Sequence, residues 1–564
     1  MKKEQKTKKK LKVKKLFNIK QNPKSLVFLD FFCYNMNTII GKERKAFIIY
    51  KSYKKHMKNK KAIYFEIMAI ILIAIFCISL TPKTLQNDTF YTIKIGEHII
   101  ENKGIDMRDP FSWHQNLEYT YPHWLYDVII YIIYSILGMT GIYISTCFFS
   151  AILGITIYKT NSKLVKNRVV SFAIAIGAMY MLRDYIAARA QLVTFILFTL
   201  QIYLMEQLAN TSKKRYGIGL IVISILIANL HVAVWPFMFV LYLPYIAEYI
   251  ITIIETKTAR KFGKELKNGY KISLTKRDGV KYLIIVMIIC MITGFLTPLG
   301  TTPYTYLIKT MQGNTTQNIN EHLPMTLINC IEILCVLIVF IALLTFTDVK
   351  IRLVDLFMLG GLVVLMLYSR RQSTMFVLMC SIILNRLVYD FMKKDGEDID
   401  ERLINVFTTL FGGFMLTALI IILSLHFVKG KIKAKYVDEK LYPVEMSKFI
   451  LQYFDENNIK KEDVRLYNEY NYGSYLLYEG IPVFIDSRCD LYAPEYNGGR
   501  DIFMDFINSS NLNTWFEDIF KKYNITHVIL YKDSKMNMII KDAKLDGYNL
   551  LKEDDNFVFY EITK

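Results

Sequence analysis

The side chains best able to do chemistry in this 564-residue chain are carboxylates, imidazoles and arginines placed at the ends of apolar segments. The stretch from Asp88 to Asp127, DTFYTIKIGEHIIENKGIDMRDPFSWHQNLEYTYPHWLYD, follows the first long apolar run. It is too polar for lipid, yet rich in acids, histidines and tryptophans. Asp88 and Asp109 stand near its start and middle, and His123, Trp124 and Asp127 close it. Such a loop on a membrane face could hold a metal and a sugar phosphate. Later in the chain Glu321 and His322 are adjacent, and carboxylate plus imidazole suits a divalent ion such as Mn²⁺ or Zn²⁺. Two ligands at most are local there, so the others would come from elsewhere. Arg183 and Arg189 in RDYIAARAQ, and Arg370 and Arg371 in SRRQ, end other segments. The guanidinium fork keeps its charge and binds phosphate in two-pronged fashion.

Each candidate also has a plainer reading. Asp88 before TFYTIKIGEHII is a good helix N-cap. Asp109 precedes Pro110, which disfavours helix, so it either adds a second carboxylate or orients the loop. Arginines at span ends snorkel to headgroups. His231, in NLH at the end of a span, is a further candidate metal ligand, and its plainer reading is the capping of a carbonyl at a helix end.

The elements that must position these residues are membrane spans. The chain is 53% hydrophobic with mean hydropathy +0.25. Its apolar runs have lengths of about 17–25 residues, enough to cross a bilayer. The formal charge of +20 is uneven: residues 1–61 hold 20 Lys or Arg against 3 acids. A basic head before a first apolar segment reads as a disordered cytoplasmic tail beside anionic lipid, in preference to a nucleic-acid site. Met57 opens MKNKKAIYFEIMAII, itself a complete membrane-protein beginning, so the start of translation is open between Met1 and Met57. The first apolar run has no small-residue cleavage site and reads as an anchor. Eight cysteines without a CxxC pair imply neither a zinc site nor a disulfide framework.

The sequence predicts about eleven transmembrane helices: 62–81, 140–158, 168–182, 191–208, 216–230, 235–254, 279–297, 325–346, 351–368, 372–392 and 403–428. Segment 123–138, with Asp127 and a row of tyrosines, reads as a surface helix. With the N-terminus inside, eleven spans put KTNSKLVKNR (159–168), NTSKKR (210–215), KTARKFGKELKNGYKISLTKR (257–277), DVKIR (348–352) and KKDGEDIDER (393–402) on the cytoplasmic side, as the positive-inside rule requires. The same parity gathers loop 82–139, RDYIAARAQ, NLH, the 297–324 loop and SRRQ on the outer face. Charged groups converging there mark a site. Three regions follow: a basic tail 1–61, a transmembrane domain 62–428, and a soluble extracytoplasmic α/β domain 429–564. In the last, VRLYN (464–468), GSYLLY (473–478), VFIDS (483–487), THVILYK (526–532) and FVFYEI (557–562) read as strands. VEMSKFILQYFDEN (444–457) and LNTWFEDIFKKYN (512–524) read as helices. The cluster Asp486, Arg488 and Asp490 reads as an internal ion-pair network.

The order of these motifs resembles polytopic glycosyltransferases of the GT-C superfamily, closest to the bacterial branch related to protein mannosyltransferases and lipid-A aminoarabinose transferases. The features that carry it are Asp88, GEHIIENKGI, DPFSW (109–113), HWLYD (123–127), ARAQ (188–191), NLH (229–231), LTPLG (296–300), INEHLP (319–324), SRRQ (369–372) and NEYNYGSYLLYEGIPVFIDSRCDLY (468–492). The resemblance implies a GT-C-like fold in the cell membrane. It implies transfer of a sugar from a polyprenyl-phosphate donor to an extracytoplasmic, cell-envelope acceptor. Asp88 matches the acidic position after the first span, used for metal binding or base catalysis. Many relatives carry two adjacent acids there, whereas Asp88 is flanked by Asn87 and Thr89, and ARAQ replaces a more usual arginine-proline-glutamine. Transfer of this kind needs a base, a cation for the leaving phosphate and an oriented sugar. Asp88 is the expected base, with Asp109 as a second carboxylate. Arg189, Arg370 and Arg371 are the expected phosphate ligands, and Glu321 with His322 the metal ligands. The alternative is a non-catalytic scaffold that binds lipid-linked glycan or an envelope-assembly partner. Clean span centres and the absence of an internal repeat speak against a transporter.

Overall fold

The computed structural model describes residues 59–262, 271–393 and 399–563. The head 1–58, and parts of the basic connections 257–277 and 393–402, lie outside the described residues. The chain divides into two compact units, Met1–Glu66 and Ile67–Lys564. The first is described only as the opening turns of the helix Asn59–Leu80. All that follows concerns the second.

Helices dominate. Among the described residues six are long and apolar enough to cross a membrane: Asn59–Leu80, Trp124–Val165, Ala190–Thr211, Val232–Lys257, Arg370–Met392 and Leu410–Lys429. They mark a membrane protein. Each of the eleven expected ranges contains a helix, but the shorter apolar ones, Val169–Met181, Val280–Thr293, Ile331–Phe346 and Leu353–Tyr368, rise only about 20–24 Å. That is less than the ~30 Å of a hydrocarbon layer. The shortfall occurs where polar stretches cut the apolar runs. The expected span 279–297, for instance, stops at Thr293, before Gly294 and LTPLG.

The 42-residue helix Trp124–Val165 breaks at Gly138 (φ 60°, ψ −153°), a conformation open to glycine. The break separates segment 123–138 from the expected span 140–158. Helix Asn87–Asn102, which bears Asp88, packs against the first part. Gly96 permits the approach: a Cβ there would lie 2.2 Å from the Asp127 carbonyl oxygen and 2.6 Å from Tyr131 Cβ. The same helix carries Phe90, whose ring meets those of Tyr442 and Tyr475 at 4.9 and 5.1 Å. The chain beyond Lys429 therefore packs directly on the Asp88 helix, through edge-to-face aromatic contacts.

That C-terminal stretch builds a four-stranded sheet. Its strands are β3 (Leu466–Tyr467), β4 (His527–Tyr531), β5 (Tyr548–Glu553) and β6 (Phe557–Ile562), in the order β3-β4-β6-β5. β3 and β4 are parallel and the other pairs antiparallel. Two short strands earlier in the chain, β1 (Ile272–Ser273) and β2 (Ile351–Arg352), form a separate parallel pair. Two expected strands are not strands. GSYLLY lies in the helix Tyr470–Tyr478, capped through Glu469 and Tyr472. Residues Tyr472 to Leu477 are all buried, and a short run buried on every side carries no period to separate strand from helix. VFIDS is irregular, with one isolated bridge from Val483 to Ser112.

Helix Ala190–Thr211 ties the bundle together. Near its C-terminal end the buried Glu206 accepts hydrogen bonds from Arg352 at 2.8 Å and Tyr245 at 2.8 Å, and pairs with Arg386 at 3.3 Å. Asp355 pairs with Arg352 at 2.6 Å and Arg386 at 2.7 Å, and Arg277 with Glu248. Three carboxylates thus neutralise three guanidiniums. Removing one member strands the others. Glu206→Ala is expected to lower the thermal unfolding temperature in detergent, by a stability loss of about 3–5 kcal/mol. Lys448→Ala, in an exposed pair with Glu445, is expected to change it little.

Candidate functional site

One cavity of about 1060 Å³ gathers most of the chemically competent residues. Asp88, Tyr91 and Thr92 enter it from helix Asn87–Asn102, and His123 from the turn before Trp124. Arg189 and Gln191 line it at the start of Ala190–Thr211, and His231 at the end of Lys214–Leu230. Glu321, His322 and Arg371 come from the two later polar stretches. The C-terminal segment adds Tyr470, Asn471, Cys489 and Asp490.

Asp88 does not cap its helix. Gln86 takes that position, and the Asp88 carboxylate pairs with Arg189 at 2.7 Å. The other arm of Arg189 donates to Glu321 at 3.0 Å. Burial disfavours the Arg189 charge, but Asp88 and Glu321 outweigh it and hold its pKa well above the ordinary value. Burial alone would raise Glu321, yet Arg189 and then Arg371 hold its carboxyl below the usual range. His322 is pushed down to about 4 by burial and by Arg371, so its imidazole is neutral at pH 7.

The SRRQ turn is strapped to the INEHLP loop through backbone. The Arg371 N–H donates to the Glu321 carbonyl at 2.9 Å, and the Arg370 N–H to the Leu323 carbonyl at 3.0 Å. The two arginines then diverge. Arg370 donates its Nε to the Pro324 carbonyl at 3.1 Å and does not line the cavity. Arg371 lines the cavity, and its guanidinium forms no ion pair or side-chain hydrogen bond among the described residues.

Asp109 does not line the cavity either. Its side chain is fully buried; it accepts from Phe111 N at 3.2 Å, Ser112 N at 2.9 Å and Arg488 at 2.7 Å. Arg488 also pairs with Asp486 at 2.6 Å, and Tyr492 donates to Asp486 at 2.6 Å. The expected Asp486–Arg488 network is present and reaches back to the first loop. Beside it Trp113 donates to the Leu466 carbonyl at 2.9 Å, and His114 meets the Phe484 carbonyl at 2.8 Å. DPFSW and GIPVFIDSRCDLY are two sides of one contact. The third acid of the cluster, Asp490, turns into the cavity and accepts from Tyr306.

A buried chain of polar groups went unread in the sequence. His123 Nδ1 meets Asp127 at 2.7 Å, and Tyr91 Oη meets His123 Nε2 at 3.1 Å. The signal was present in HWLYD: a His and an Asp four apart at a helix start share one face. Burial lowers the His123 pKa, but Asp127 more than compensates and raises it. His231, 6.3 Å away ring to ring, is driven well below the ordinary value by burial and by Arg371.

The residues present do not fit a divalent metal. Among the described residues no three His, Cys, Asp or Glu side chains form a group able to hold one. Asp88 and Glu321 face a guanidinium, and Glu321 and His322 gain no third ligand among the described residues.

The described residues form a bundle of apolar helices, a polar cavity lined from helix ends and loops, and an appended α/β segment. Among solved structures the chain is similar to the Archaeoglobus fulgidus oligosaccharyltransferase in its apo form, with TM-score 0.50 and 10% identity over 83% of this chain and 70% of that one. The same protein tethered with an acceptor peptide containing the NVT sequon gives TM-score 0.49 and 11% identity, over 89% and 74%. At such identity the likeness is one of fold. No family model and no curated protein matches the sequence.

Burial opposes the Asp109 charge, but Arg488 prevails and holds its carboxyl below the usual range. The linked stability is therefore complete above the ordinary carboxylate pKa and is lost as pH falls through the depressed value, below about pH 4. Arg488→Met leaves two buried carboxylates without their cation. It is expected to cost about 3–5 kcal/mol at neutral pH, read as a fall in unfolding temperature.

Proposed function

We propose that the protein is a membrane glycosyltransferase that moves a sugar from a polyprenyl-phosphate donor to an acceptor on the extracytoplasmic side of the cell membrane. The observation that carries this reading is the unpaired guanidinium of Arg371 in a large cavity, beside the ion-paired chain Asp88–Arg189–Glu321. A half-buried guanidinium that makes no ion pair is suited to take an anion. Similarity of fold to an oligosaccharyltransferase supports the class, and the motif order supports the bacterial branch related to protein mannosyltransferases and aminoarabinose transferases. The distribution of basic connections supports a cavity that opens outward.

In this reading the acceptor hydroxyl oxygen attacks the anomeric carbon from the face opposite the phosphate. The carbon–oxygen bond to phosphate breaks, the leaving oxygen keeps the electron pair, and the hydroxyl proton passes to Asp88. The configuration inverts. Arg371 and Arg189 stabilise the charge that develops on the phosphate. Asp109 acts on stability through Arg488 and touches no substrate.

The test is transfer of labelled sugar from polyprenyl-phosphate donors in membranes that contain the protein. Asp88→Asn is expected to lower transfer by roughly 10²–10⁴-fold at unchanged protein level. Arg371→Ala is expected to weaken donor binding as well as turnover. Binding of lipid-linked glycan with no transfer from any donor would favour the scaffold reading. Full transfer by Asp88→Asn would remove the base.

A further inference from the structure

We infer that the guanidinium of Arg189, held between the carboxylates of Asp88 and Glu321, takes the place of a divalent metal ion in this cavity, so that the site works with a fixed cation of the protein's own. The inference goes beyond the proposed transfer reaction and does not depend on it. It rests on how three charged side chains are placed.

Asp88 and Glu321 are the carboxylates a metal would draw together. A small divalent ion needs oxygens converging to about 2.0–2.2 Å. Here Asp88 Oδ2 lies 2.7 Å from one terminal nitrogen of Arg189, and Glu321 Oε1 lies 3.0 Å from the other. The width of the guanidinium keeps the two oxygens apart. The backbone on each side is held: Asp88 is in the first turn of helix Asn87–Asn102, and the Glu321 carbonyl accepts from the Arg371 N–H.

At the bridge the two carboxylates flank Arg189, and Arg371 adds a second positive charge to the same cavity, which Asp490 also lines. The imidazoles that would complete a ligand set give little help. His322 makes no group of three with other metal-binding side chains among the described residues, and His231 meets Thr194 at 3.3 Å. An incoming divalent cation would have to displace one guanidinium and stand near another. A guanidinium differs from a metal in one useful respect: it cannot be chelated, and it stays charged at every pH the protein meets. Neutralisation of the leaving phosphate would then need no metal supply.

The experiment uses the full chain, purified in detergent and dialysed against a chelator. Mn²⁺ is titrated in, and the free ion is read by its paramagnetic resonance signal. Wild type is compared with Asp88→Asn and with Glu321→Gln, prepared separately so that failure of one to fold leaves the other. The account expects the same free Mn²⁺ signal for all proteins, with no stoichiometric uptake by wild type. One equivalent of Mn²⁺ held by wild type and released by either variant would overturn it. Because no turnover is read, a protein without transferase activity still answers the question.

Discussion

Arg189 between Asp88 and Glu321 is the interaction on which the site depends. These residues come from three places far apart in the chain: the helix after the first span, the entry to Ala190–Thr211, and the loop before Ile331. Each would carry a costly charge at the edge of an apolar bundle if left alone. Together they satisfy one another at 2.7 and 3.0 Å. Two carboxylates face one guanidinium there, and Arg371 supplies the second positive charge. The backbone strap from Arg371 to Glu321 places that second charge beside the pairing.

The rest of the structure repeats this logic. Helix Ala190–Thr211 follows Arg189 at one end and carries Glu206 near the other, about 25 Å further along the rise of the helix. The Glu206 network anchors the far end to helices entered at Leu243, Leu353 and Ser373 through Tyr245, Arg352 and Arg386. A third network, Asp109–Arg488–Asp486, fastens the first loop to the C-terminal segment. The aromatic cluster around Phe90 fastens the same segment to the Asp88 helix. The segment thereby becomes a wall of the cavity, contributing Tyr470 and Asp490.

Much of this was legible in the residues. Apolar run lengths announced a membrane bundle, and Asp88, Arg189, Glu321, His322 and Arg371 were all singled out as converging. What escaped had local causes. Arg370 and Arg371 are neighbours of the same type, and only the turn geometry sends one to the Pro324 carbonyl and the other to the cavity. Asp109, like Asp88, is an acid in the polar stretch after the first span, and its neighbour Pro110 speaks only of the local backbone. Its partner lies 379 positions away, beyond the reach of spacing arguments. GSYLLY hid its helix because all its faces are buried. Four of the expected spans are shorter helices than their apolar runs suggested, since run length does not reveal where a helix will stop.

The most direct test of the account is a cryo-electron microscopy structure of the full chain with a polyprenyl phosphate bound. The account predicts the phosphate within hydrogen-bond distance of the Arg371 guanidinium, with Arg189 still bridging Asp88 and Glu321 and no ion density between the carboxylates. A phosphate seated away from Arg371, or a metal coordinated by Asp88 and Glu321 with Arg189 displaced, would contradict it.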